Sequence, residues 1–93
     1  MHLPIKDTEE DVAKELEVER RLRDVMSAVF GVEAAKISSA DSPDTVAEWS
    51  SLGHLQLMLA LEQEFDIQFE PDELASLRTV GMIENRLAGS YSE

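Results

Sequence analysis

The chain of 93 residues has no cysteine. A domain of this size buries only a modest core, and without disulfides it must be held by packing alone. Thiol nucleophiles and the usual zinc-site ligands are excluded as well, so any thiol chemistry would come from a group attached to the chain. No apolar run approaches the roughly 18 residues that suggest a membrane span. The N-terminus also lacks the apolar region of a secretory signal, and the expectation is a cytoplasmic protein. Bases are scarce: 8 Lys and Arg face 20 Asp and Glu, for a net charge of −12. Nucleic-acid phosphates need a basic face, so that class of partner is excluded. No alternating run of strand length is present, and no internal repeat.

The acids that dominate are placed unevenly. Residues 1–30 hold eight acids and five bases, whereas residues 31–77 hold ten acids and only Lys36. Such a surface can simply be solvated. It can also steer basic partners and raise their on-rates, which makes the segment after Gly31 the place to look for a site.

Val18, Leu22, Val25, Met26 and Val29 recur at helical spacing, and Gly31 follows where a helix is often closed. Thr8 with Glu9, Glu10 and Asp11 reads as a possible helix start, yet Val12 and Leu16 fall roughly 100–140° from the stripe. Residues 1–15 are therefore expected to be an extension, with a domain over 16–90. Residues 31–50 have no sustained period and read as one long loop pinned by Val32, Ile37, Val46 and Trp49. A loop of that length tends to be functional. A second helix is expected from about Leu52 to Phe65 or Asp66. Pro71 starts a short one ending near Leu77, and Thr79 caps a last one from Val80 to about Ala88, with Gly89 beyond it. The expected fold is all-α, a four-helix bundle of three longer helices and one short one, with the long loop between helices one and two.

At 100° per residue the second helix carries two apolar stripes. Leu57, Met58, Leu61 and Phe65 are expected in the core. Leu52, Leu55 and Leu59 form a second arc, rimmed by Gln56, Glu62 and Gln63. Neighbours can bury it, or it can remain a docking surface. At the helix entrance stand Ser50 and Ser51. Either can cap the first turn, and one suffices; the other hydroxyl then lies where free amides and the helix dipole favour a phosphate. His54, three residues beyond Ser51, could in principle serve as its base, but no orienting acid or oxyanion hole is evident, and a pocket-lining role fits better. Trp49 reads as a hydrophobic lid where the loop meets the helix.

The run SSLGHLQLMLALEQEFDIQF, followed by PDEL and LRTVGMI, resembles the acyl carrier protein family over about residues 17–88. EW-x-SLGHL is similar to a stand-alone, specialised subgroup. The resemblance implies a 4′-phosphopantetheine arm on Ser51, an acyl thioester at its end, and no catalysis by the chain itself. It implies a phosphopantetheinyl transferase, a loading ligase or acyltransferase, and synthase or transferase enzymes with basic docking patches as partners of a monomer. Docking would fall on Leu52, Leu55, Gln56, Leu59, Glu62 and Gln63. The products would belong to lipid, polyketide or related biosynthesis. Ser50 stands where the family usually has Asp, and Gly53, Gln56 and Gln63 where fatty-acid carriers often have acids. Glu62, Glu64 and Asp66 keep some of that charge. The alternative is a carrier-like helical interaction module that is never modified.

Overall fold

The structure, a computed structural model, describes residues 4–91, and side chains over 12–89. Four helices follow in order: α1 (Pro4–Phe30), α2 (Ser51–Phe65), α3 (Pro71–Ser76) and α4 (Val80–Tyr91), with a 3₁₀ turn at Ala34–Lys36 in the loop after α1. Three are long and one is short, as the periodicity implies, and no strand occurs among the described residues. No helix there is long and apolar enough to cross a membrane.

The stripe of α1 forms the floor of the core. Val18, Leu22, Met26 and Phe30 are buried, and α1 packs against both α2 and α4. Leu57, Met58 and Leu61 of α2 and Val80, Ile83 and Leu87 of α4 are fully buried with them. Each such side chain contributes about 1.5–3 kcal/mol through removal from water. Gly31 closes α1 at φ 74°, a left-handed conformation that glycine adopts without a Cβ penalty, and its N–H bonds Ser27 O at 2.8 Å.

Helix α1 starts earlier than the sequence suggests. It begins at Pro4, a residue whose fixed φ suits a first helical position, so Thr8 lies inside the helix instead of capping it. Val12 and Leu16 on its first half are exposed. Helix α4 likewise runs through Gly89 to Tyr91 instead of stopping before the glycine. A helical glycine costs about 1 kcal/mol relative to alanine, which α4 tolerates.

Polar ties hold the long loop to the bundle. Arg23 of α1 donates from Nε to Ile37 O (2.9 Å) and pairs with Glu84 of α4 at 2.7 Å. The loop in turn starts α4: Asp41 O and Ser39 O accept from the Val80 and Gly81 N–H groups, while Thr79 Oγ1 accepts from Met82 N–H. The loop thus satisfies two of the first-turn donors of α4, and Thr79 the next two. Asp41 is itself fixed by the Ser38 N–H and the Thr45 hydroxyl, which hold its carboxyl below the usual range. Glu73 of α3 is lowered chiefly by its hydrogen bond to Arg86 of α4, then by the Glu70 N–H.

Candidate functional site

Helix α2 begins where the loop ends, and three side chains fix that junction. Trp49 is buried to 2% exposure, against the ring of Phe30 at a centroid distance of 5.8 Å. It belongs to the core and is more than a lid. Its indole Nε1–H donates to His54 Nδ1 at 2.9 Å, and His54 Nε2 lies 2.7 Å from Leu74 O. The indole can only donate and the carbonyl can only accept, so Nδ1 is the acceptor and Nε2 carries the proton. Both ring nitrogens are engaged, which leaves no lone pair to serve as a base for Ser51. His54 is a bridge between the loop, α2 and α3.

The two serines divide their work. Ser50 has the extended backbone of an N-cap, and its hydroxyl oxygen accepts from Gly53 N–H at 3.1 Å. Ser51 is the first residue of α2, is exposed, and makes no side-chain hydrogen bond among the described residues. Its hydroxyl is therefore free at a helix N-terminus, where partial positive charge favours an attached anion. Beside it opens a cavity of about 340 Å³ lined by Pro43, Trp49, Ser50, Ser51, His54 and Arg78. A free hydroxyl, an unopposed helix dipole and adjoining space together fit a bulky phosphodiester-linked group.

A family model described as phosphopantetheine attachment site matches residues 20–87. The chain belongs to that family. Its members are carriers, not enzymes, and bear covalent 4′-phosphopantetheine. Among similar proteins is the acyl carrier protein of Clostridium acetobutylicum, 28% identical over 73 residues, which cover 78% of this chain and 95% of that relative. The resemblance carried by the SSLGHL run and the four-helix fold agree with this placement.

The remaining residues singled out in the sequence fall as follows. Leu52, Leu55 and Leu59 are 64%, 48% and 53% exposed, so the second stripe is not absorbed into the core. Gln56 and Gln63 are exposed beside it. Glu62 is half-buried, and its Oε2 accepts from Phe69 N–H at 2.8 Å, tethering the α2–α3 connection. Phe65 is half-buried beneath the Arg21 guanidinium, 4.5 Å from its ring centroid. Arg78 and Pro43 of the cavity wall were not singled out by the sequence. The available signal was that Arg78 is the only Lys or Arg between Lys36 and Arg86.

The structure supplies a reason for glycine at position 53. It is buried, and a Cβ there would lie 2.4 Å from Glu48 O and 3.1 Å from the Phe30 ring. The position is a close approach of backbone to backbone, so no acid is missing from the surface there. Gly53→Ala should lower stability by about 1–3 kcal/mol through overpacking, despite the helix propensity gained. Gly89→Ala meets no atom within 4 Å and should instead gain about 0.5–1 kcal/mol. Denaturant unfolding of both variants checks the opposite signs.

Proposed function

We propose that this carrier holds acyl intermediates as thioesters on an arm attached at Ser51 and presents them to successive enzymes of lipid, polyketide or related biosynthesis. The carrying observation is the division between the serines, with Ser50 capping and the Ser51 hydroxyl free beside the cavity. The attached group supplies the terminal thiol. The chain fixes the point of attachment through the Trp49–His54 joint, and tethering raises the effective concentration at which partners meet the cargo. Incubation with a phosphopantetheinyl transferase should add the mass of one arm. Ser51→Ala should abolish that gain, while Ser50→Ala should keep it at a cost of about 1 kcal/mol from the lost cap. An arm mapped to Ser50, or no arm at all, sinks the assignment; the latter would leave an unmodified interaction module.

Docking is assigned to Leu52, Leu55 and Leu59 with Gln56, Glu62 and Gln63 at the rim. The support is their exposure on an otherwise well-packed helix. The partners would be the transferase, a loading ligase or acyltransferase, and synthase or transferase enzymes with basic patches. These enzymes would meet a monomeric carrier in the cytoplasm. Leu55→Ala should change the melting temperature little yet slow loading. Leu61→Ala should cost about 2–5 kcal/mol, because that side chain is fully buried. Equal large losses of stability would place both leucines in the core.

Residues 1–15 are assigned as an extension to a carrier domain of 16–90. Helix α1 continues across the boundary, but Val12 lies exposed before it and Leu16 just after it, whereas Val18 is buried. A chain beginning at Glu15 should melt within a few degrees of the full length, about what a loss below 1 kcal/mol produces in a domain of this size. A collapse in melting temperature would show that the extension is part of the domain.

A further inference from the structure

The cations of this acidic chain are mostly committed. Arg20, Arg21, Arg23, Lys36 and Arg86 each lie within ion-pair distance of a carboxylate. Arg78 is different. It is exposed and pairs with no carboxylate among the described residues, although ten acids lie between residues 31 and 77. It lines the cavity beside Ser51, and no carboxylate shares that wall.

Its position is firmly held. Leu77 before it is buried; Thr79 after it caps α4 through Met82 N–H, and Val80 is fully buried. The contact between His54 Nε2 and Leu74 O ties this α3–α4 corner to the first turn of α2, which carries Ser51. A guanidinium offers a planar fork of donors suited to phosphate or carboxylate oxygens. A phosphodiester on Ser51 is anchored at the cavity wall through the serine oxygen itself. A carboxylate at the far end of a cargo would have to fold back to reach it. The anchored anion loses less freedom on binding, and so it is the favoured occupant.

We propose that Arg78 is the counter-cation of the phosphodiester formed on Ser51, and that the cavity seats the first segment of the arm against Pro43 and Trp49. Arg78 is a positioning residue in this role, and the proposal rests on Ser51 being the attachment site. It gives the arm a preferred direction of departure from the helix, towards the loop wall.

Phosphorus NMR of the holo protein tests this with no enzyme turnover. The phosphodiester resonance of the wild type should move as salt is raised from 0.01 to 1 M, over which the screening length falls from about 30 to about 3 Å. In Arg78→Gln it should stay near the high-salt position throughout, and Arg78→Lys should recover part of the movement. The emission of Trp49, the single tryptophan, should change from apo to holo in the wild type and less in Arg78→Gln. Matching apo melting curves would show that the variants are folded. Identical phosphorus titrations in wild type and Arg78→Gln would overturn the proposal. So would an Arg78 dependence seen only with a carboxylate-ended cargo and absent with a neutral acyl group. Intact mass separates the two levels: an arm on Ser51 with an indifferent phosphorus defeats this inference alone, whereas no arm defeats the attachment reading with it.

Discussion

Everything at the entrance of α2 depends on where Trp49 is buried. The indole sits against Phe30 at the end of α1, donates to His54 in the first turn of α2, and through that imidazole reaches the Leu74 carbonyl of α3. One side chain therefore joins three helices to the end of a 20-residue loop. Its apolar body contributes burial and its N–H is satisfied, the two conditions a buried tryptophan must meet. An imidazole held at both nitrogens has one tautomer and one orientation, so the adjacent serines are held in a defined frame as well.

The loop is structural along most of its length. A small core cannot absorb unpaired backbone groups, and residues 39–41 answer this by accepting the first donors of α4. Arg23 secures the same segment from below by bonding Ile37 O while pairing with Glu84, whose other oxygen accepts from Ser39. Two of the bases of α1, Arg21 and Arg23, thus point across the bundle. Arg21 pairs with Glu64 of α2 and covers Phe65 in the same way. The sequence's charge asymmetry has a folding consequence: bases from one helix hold the others, and the uncommitted acids are left on the outside.

Helical periodicity made the core of α1 and the two stripes of α2 legible, because residues 100° apart on a cylinder must face different surroundings. The place of Ser50 and Ser51 at the entrance of α2 was legible as well, and the run around them pointed to the family. What periodicity could not supply were contacts made by the loop, since a path without a period has no preferred face. The Trp49–His54 hydrogen bond, the Arg23 bond to Ile37 O and the Pro43 wall of the Arg78 cavity all depend on that path. Thr8 and Gly89 misled for a local reason. Each carries a residue-type preference for a helix end, and the flanking helix-forming residues outweigh a preference worth about 1 kcal/mol.

The electrostatics of the helix entrance follow from these contacts. The first turn of α3 carries Asp72 and Glu73, the usual complement to a helix dipole, whereas the first turn of α2 carries no acid. Gly53 is closed to any side chain by Glu48 O, and Ser50 caps with a neutral hydroxyl. In a chain of net charge −12 this small region is the exception, with Arg78 its one formal charge at the cavity wall. An acid at Ser50 would cap equally well but would repel a second anion bonded to its neighbour. The neutral cap adds no carboxylate to the positive end of α2, and neither its first turn nor the cavity wall supplies one. An anion covalently placed at Ser51 would be the group that compensates it.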